Sequence, residues 1–307
     1  MKAFFTTKYG DPEVLKLVEV DKPIPKKNEV LIQIKTIAVT SGDCRMRAFN
    51  PPYWYFSIPM RLMLGVFKPR KPIQGLWFSG VIEKAGENVT KLQAGQQIYA
   101  RTQDLKFGAN AEFICLPENG IIGIKPTNLS FEESVSIPFG GMTALHFLKK
   151  VNIKKGDKVL IYGASGSVGI AAVQLGKNYG AEIHGVCSAG NIDLVRYNGA
   201  DYVIDYKEKN ITDLSEKYDI VFVSVGKINK SIAKKILKED GRFVSVYSSG
   251  HAQGGSEELD YITELAEKEI LIPVIDKIYP FDQIVDAHKY VDKGHKKGNV
   301  VLTLNEK

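Results

Sequence analysis

The run Tyr162-Gly163-Ala164-Ser165-Gly166-Ser167-Val168-Gly169 directly follows the apolar stretch Val159-Leu160-Ile161, and this junction constrains the fold more than any other part of the chain. A short apolar run closed by a glycine turn reads as a buried parallel strand. Beyond the turn, Val168, Ile170, Ala171, Val173, Leu175 and Gly176 form an apolar, small-residue helix. Such a unit aims a helix N-terminus, with its unpaired backbone N–H groups, at whatever lies above the turn. A pyrophosphate fits that description. A Cβ in the turn would block close approach of backbone to phosphate, and Gly169 would let the helix pack tightly on the strand. Gly163, Ala164, Ser165, Gly166, Ser167, Val168 and Gly169 are therefore candidate cofactor contacts.

A glycine turn alone also serves as an ordinary tight connection, so its surroundings decide the reading. Further short strands are predicted at residues 182–186, 202–206, 219–223 and 241–246, with helix-length segments between them. That alternation predicts an α/β, doubly wound parallel sheet, a fold that binds ligands at the carboxyl ends of its strands. After the second strand, an acidic residue that holds the adenosine ribose hydroxyls would favour NAD. This chain has Cys187-Ser188-Ala189-Gly190-Asn191 there. With no carboxylate to repel a 2′-phosphate, and with Ser188, Asn191, Tyr206 and Lys297 as donors, the expected cofactor is NADP(H). Helix capping is the competing role for Ser188 and Asn191. Arg196 either meets the phosphate or lies on a solvated helix face.

The chain's 307 residues exceed what one core usually organises, so two domains are expected. Its net charge of +6 is spread over scattered lysines rather than a basic block interleaved with aromatics, which argues against a nucleic-acid partner. No stretch is long and apolar enough to cross a bilayer, and Met1-Lys2-Ala3-Phe4-Phe5 leads into polar residues rather than a signal-peptide core. A cytoplasmic protein without a membrane partner is expected. Cys44, Cys115 and Cys187 are odd in number and far apart, which suits a reducing compartment rather than a disulfide framework.

The first third has another rhythm. Glu29-Val30-Leu31-Ile32-Gln33-Ile34-Lys35 alternates as a strand, and residues 78–83 and 97–100 continue the pattern between glycine-bearing turns. This predicts an antiparallel or barrel-like unit. The tail holds a predicted helix at 281–291 and then Val300-Val301-Leu302-Thr303-Leu304, a strand able to return to that first unit.

Four separated motifs carry a family resemblance: Gly75-Leu76-Trp77-Phe78-Ser79-Gly80-Val81-Ile82-Glu83, the turn from Gly163 to Gly169, Gly199-Ala200-Asp201-Tyr202-Val203-Ile204-Asp205-Tyr206, and Gly294-His295-Lys296-Lys297-Gly298-Asn299-Val300-Val301. Over essentially its full length the chain resembles a zinc-independent medium-chain dehydrogenase/reductase of the quinone oxidoreductase, zeta-crystallin-like type. The resemblance implies a GroES-like β-barrel catalytic domain at 1–124 and 269–307, a Rossmann dinucleotide-binding domain at 125–268, and a homodimer. On the cofactor side it adds Thr143, Val225, Gly226, Tyr247, Ser248 and Asn299. Thr143 matches a position that faces the nicotinamide, its alternative being a helix threonine bonded to its own backbone.

Zinc alcohol dehydrogenases share the fold, so the metal ligands decide the chemistry. Where those enzymes carry a cysteine this chain has Thr40, and their Gly-His-Glu is here Gly75-Leu76-Trp77. Neither the cysteines nor the histidines fall at zinc-ligand spacings, so no metal is expected. Without a Lewis acid an ordinary alcohol is hard to oxidise, whereas a quinone or an α,β-unsaturated carbonyl already polarises its own reacting carbon. The expected reaction is hydride transfer from NADPH to such an acceptor. Candidate catalytic residues are Thr40, Asp43 and Arg45. Asparagine and tyrosine often stand at the positions of Thr40 and Arg45 in related reductases. Arg45 either orients a carbonyl oxygen or holds a domain interface, and Asp43 is read chiefly as a structural cap.

Tyr53 and Trp54, in an aromatic and proline-rich stretch, are candidate substrate contacts; packing of that loop onto its own domain, or a dimer contact, is the alternative. The five histidines show no partner suited to catalysis in sequence. A serine-hydrolase elbow is excluded because glycine does not stand two residues either side of Ser165. Ser224, where the family frequently carries aspartate, keeps open a second reading as an NADPH-binding redox sensor with little turnover. A structural, crystallin-like role is weaker still.

Overall fold

The computed structural model describes residues 1–50, 57–102 and 107–304, which divide into two compact units: Met1–Ser136 with Ile275–Lys307, and Ile137–Val274.

The first unit opens with the antiparallel pair β1 (Lys2–Thr6) and β2 (Leu15–Glu19). The long strand β3 (Glu29–Ala38) follows, then the helices α1 (Ser41–Ala48) and α2 (Ser57–Leu64). Next come β4 (Trp77–Ala85), β5 (Gln97–Arg101), β6 (Phe113–Pro117), β7 (Ile121–Ile124) and α3 (Phe131–Ser136). The alternation read at 29–35 extends to Ala38 and gives way to burial on both sides. Two register shifts against β4 re-aim its side chains, and the Thr36 and Ser79 hydroxyls both donate to the Phe131 carbonyl of α3. Gly80 is required where β4 crosses β3, because a Cβ there would collide with the Gln33 carbonyl. Ile32, Ile34, Ile37, Phe78, Ile82 and Ile98 form the centre of this core.

The second unit runs α4 (Pro138–Lys150), β8 (Lys158–Tyr162), α5 (Ser167–Asn178), β9 (Glu182–Cys187), α6 (Ile192–Tyr197), β10 (Tyr202–Asp205), β11 (Tyr218–Val223), α7 (Lys230–Lys234), β12 (Leu237–Ser245) and α8 (Ser256–Glu267). Its strands are all parallel in the order β10-β9-β8-β11-β12. Val159, Leu160, Ile161, Ile220, Val221 and Phe222 have no exposed surface, as expected of strands covered on both faces. The fifth strand starts at Leu237, earlier than the sequence suggests. Tyr218 pairs with Leu237 and Ile220 with Arg242, so Glu239-Asp240-Gly241 lies in a bulge within the strand.

The chain then returns to the first unit as β13 (Ile275–Pro280), α9 (Ile284–Asp292) and β14 (Asn299–Thr303). β14 pairs antiparallel with β3, Val301 opposite Ala38, and β13 joins it in parallel. The unit's large sheet is ordered β13-β14-β3-β4-β5-β7, with β6 also on β3.

Candidate functional site

In the second unit the strand order reverses between β8 and β11, the place where open α/β sheets leave a crevice for a ligand. The glycine turn sits there. The Gly163 and Ala164 amides both donate to the Val186 carbonyl at 3.0 Å, bending the chain sharply off β8. Gly163 has φ +84°, and a Cβ on it would lie 2.6 Å from Ser224 Oγ. A Cβ on Gly169 would collide with the Gly163 carbonyl, so close packing of α5 on the turn depends on that glycine.

Gly166 is different. Its φ of −83° suits any residue, and a Cβ would find no atom nearer than the Gly163 carbonyl at 3.7 Å. Neither backbone conformation nor neighbouring protein requires glycine here, yet a Cβ would fill the space above the turn. The N-cap residue of α5, Gly166, has no side chain with which to cap the helix. A helix N-terminus approached over a glycine is the arrangement a phosphate ester needs.

Ser224, the departure that kept the sensor reading open, has a structural role. Its hydroxyl lies 2.9 Å from both the Tyr162 and Gly163 carbonyls and so ties the end of β11 to the turn. The Asn191 amide donates to Ser165 Oγ at 3.1 Å and Ser188 Oγ at 3.3 Å, joining the turn to the segment after β9. Neither Ser188 nor Asn191 caps a helix through its side chain, so the competing capping role is not the one they fill. Tyr206 follows β10, its ring 6.4 Å from that of Tyr162. Val225 and Gly226 follow β11, and Tyr247 and Ser248 follow β12; Gly226 faces the Tyr247 ring. Arg196 is on a solvated face beside Asp193. The Thr143 hydroxyl donates to the Phe139 carbonyl at 2.6 Å, which leaves its lone pairs to accept. Lys297 and Asn299 belong to the first unit, where the Lys297 amide donates to Asp276 and Asn299 opens β14 opposite Ile275.

The first unit's candidate catalytic residues gather at α1. Thr40 caps this helix: its hydroxyl accepts from the Asp43 amide, and Asp43 Oδ2 accepts from the Thr40 amide at 2.9 Å and its hydroxyl at 2.5 Å. This is a reciprocal capping box. Burial pushes the Asp43 carboxyl up to about 6, against the lowering effect of those hydrogen bonds. Its Oδ1 is buried without a partner. Arg45 is half-buried on the same helix. Tyr53 and Trp54 lie outside the described residues.

Sequence reasoning did not find the network behind them. Arg47, 2% exposed, donates through Nη2 to Asp292 at 2.7 Å, while its Nε and Nη1 are buried without partners. Cys44 Sγ lies 3.4 Å from His288 Nδ1. Burial, aided by the Arg47 charge, holds the His288 ring down to about 3 and so neutral. Burial, with the Asp292 and Asp43 carboxylates nearby, pushes the Cys44 thiol up and keeps it protonated. A buried face of Asp43, Cys44 and Arg47 at helical spacing was the available signal; their partners on α9 could not be read locally. His184, also buried, is engaged by Tyr218 and Glu182. Thr40 and Leu76 offer no ligand for zinc, and among the described residues no three His, Cys, Asp or Glu side chains converge to hold a metal.

Comparison with known proteins matches residues 26–138 to the alcohol dehydrogenase GroES-like domain and residues 167–271 to the zinc-binding dehydrogenase domain. The chain is 32% identical to 2-methylene-furan-3-one reductase of Solanum lycopersicum, covering 98% of this chain and 79% of that one. It is 30% identical to the chloroplastic NADPH-dependent alkenal/one oxidoreductase of Arabidopsis thaliana, with the same coverage. Among solved structures it is similar to the quinone oxidoreductase from Coxiella burnetii, with a TM-score of 0.83, 26% identity and 99% of each chain covered.

Proposed function

Because this chain belongs to the medium-chain dehydrogenase/reductases of the quinone oxidoreductase type, we propose that it is an NADPH-dependent enzyme reducing quinones or α,β-unsaturated carbonyl compounds without zinc. The observation that carries the cofactor assignment is Gly166, a glycine that the protein itself does not need, at the N-terminus of α5 beside the sheet's switch point. Gly163 and Gly169 would bring backbone close to the pyrophosphate, and the N-terminal end of α5 would favour its negative charge. Ser188 and Asn191, following a β9 that ends in Cys187 rather than an acid, support a 2′-phosphate and hence NADPH.

Bound there, NADPH supplies a hydride, which a quinone or enone takes at a carbon its own carbonyl has made electron-poor. The candidates for handling the acceptor are Thr40, Asp43 and Arg45. Arg45 is suited to orient the carbonyl oxygen and hold the negative charge that develops on it. Thr40, its hydroxyl proton donated to Asp43, fixes the start of the helix that carries Arg45. Asp43, buried in the capping box, acts through Thr40 as a positioning residue. The donor set supports zinc-free chemistry, since Thr40 and Leu76 stand where the zinc enzymes have ligands.

The test is NADPH and NADH oxidation by the purified, chelator-treated protein with a naphthoquinone, an ortho-quinone, a conjugated enone and a saturated aldehyde. Faster turnover of quinone or enone with NADPH, unchanged by chelation, is expected. Zinc-dependent oxidation of simple alcohols would overturn the assignment.

A further inference from the structure

We infer that α2 and the loop after it form a docking surface for an anionic lipid membrane, a role separate from the reductase chemistry. Ile58 and Leu62, one helical turn apart on α2, are 73% and 60% exposed, and Phe67 in the following loop is 88% exposed. Met63 and Val66 are exposed beside them. A cluster of large apolar side chains held in water marks an interaction site rather than scattered surface variation.

The loop is built to hold them outward. Gly65, at φ +124°, donates its amide to the Arg61 carbonyl at 2.9 Å and accepts from the Tyr9 hydroxyl at 2.9 Å. The Arg70 amide donates to the Leu64 carbonyl at 2.7 Å, closing the loop at its base, while Leu64 itself is buried. A Cβ on Gly65 would collide with the Lys68 carbonyl, so the turn depends on glycine. Val66 and Phe67 are thus the tip of a tied loop.

Charge identifies the occupant. Lys68, Arg70 and Lys71 are exposed around the tip. From Cys44 to Ile82 the chain contains no Asp or Glu, so no acid in this segment offsets them. A second copy of the chain docking about a two-fold axis would bring these cations against their own images, which like-charge repulsion disfavours. A protein groove would satisfy the apolar tip but need not be anionic. An anionic bilayer satisfies both features: Ile58, Leu62 and Phe67 seat at the boundary between headgroups and acyl chains, and the three cations meet lipid phosphates. No helix among the described residues is long and apolar enough to cross a membrane, so the contact is superficial.

The test is co-sedimentation of the full chain with vesicles of phosphatidylcholine alone and of phosphatidylcholine mixed with phosphatidylserine. Binding to the mixed vesicles only, released by high salt, is expected. The K68S/R70S double variant should lower partitioning by about twenty-five-fold, roughly fivefold per cation. Phe67→Ser should lower it by at least about tenfold. Both variants should keep the wild-type unfolding midpoint and NADPH oxidation rate, since these side chains are exposed. Absence of sedimentation with either vesicle, or equal sedimentation with both, would overturn the proposal. So would a concentration-dependent doubling of mass that Phe67→Ser abolishes while vesicle binding is absent, which would make this face a self-association surface.

Discussion

The second unit presents its candidate ligand surface with backbone and very few side chains, whereas the first unit assembles its polar site from side chains buried against one another. At the glycine turn, the proposed cofactor surface depends on atoms that are missing: no Cβ at Gly163, Gly166 or Gly169. At α1 the polar cluster depends on atoms that must be paired, where Thr40, Asp43 and Arg47 each rely on a partner's geometry and charge. The first kind of site fails by steric intrusion. The second fails by loss of a partner, and it responds to pH.

The strongest way to break the comparison is at Gly169. Gly169→Val forces a side chain into the Gly163 carbonyl, and unfolding should cost at least about 3 kcal/mol less than in the wild type, with cofactor binding lost as well. Gly166→Ala should behave differently: stability within about 1 kcal/mol of wild type, but NADPH affinity reduced at least about tenfold. Denaturant unfolding and a fluorescence titration with NADPH measure the two effects. Equal loss of stability in both variants would mean the turn is only structural.

On the other side, Asp292→Asn and Arg47→Met separate the members of one ion pair. Asp292→Asn leaves a buried guanidinium without its anion and should cost about 2 kcal/mol or more, tempered by the partial exposure of Asp292. Arg47→Met removes the buried charge together with its two unpartnered nitrogens and should cost less. Urea unfolding of the two variants decides, and the reverse ranking would count against the network.

The pH response sharpens the contrast further. His288 is held down to about 3 by burial, so the stability its neutral ring contributes is whole above its ordinary 6.5 and is lost as pH falls towards 3. One proton changes stability by about 1.4 kcal/mol per pH unit within that window. Asp43 has the opposite sign: pushed up to about 6 by burial, its protonated form contributes stability that is full below its ordinary 3.8 and lost as pH rises through 6. His288→Gln should flatten the acid limb of a stability–pH profile, while Asp43→Asn should steepen the net acid loss. Unchanged profiles would contradict both assignments. The smallest effect expected is at Ser224, where Ser224→Ala removes the tie to the Tyr162 and Gly163 carbonyls at about 1 kcal/mol, read from the shift in denaturant midpoint.

The same difference explains what was legible in the chain. A backbone site announces itself through glycines at fixed spacing beside an apolar strand, so the turn, the parallel strands and their ends could be read from residues 159–248. The capping box at Thr40 and Asp43 was half legible, because its partners are three residues apart. The Arg47–Asp292 pair spans 245 positions, and its members look like ordinary surface charges until β14 and α9 fold back onto the first unit. The fifth strand was read as starting at Gly241 rather than Leu237 for a related reason: its first residues join the sheet only through pairing with β11 across an irregular register.

The central claim is hydride transfer from NADPH to a conjugated acceptor. The most direct measurement supplies NADPH carrying deuterium at the transferable nicotinamide position together with an enone, and locates the label in the product by mass spectrometry and NMR. Deuterium on the carbon β to the carbonyl, with the α-hydrogen drawn from solvent, is the predicted result. A reduced product without deuterium, or NADPH binding with no product from either enone or quinone, would contradict it.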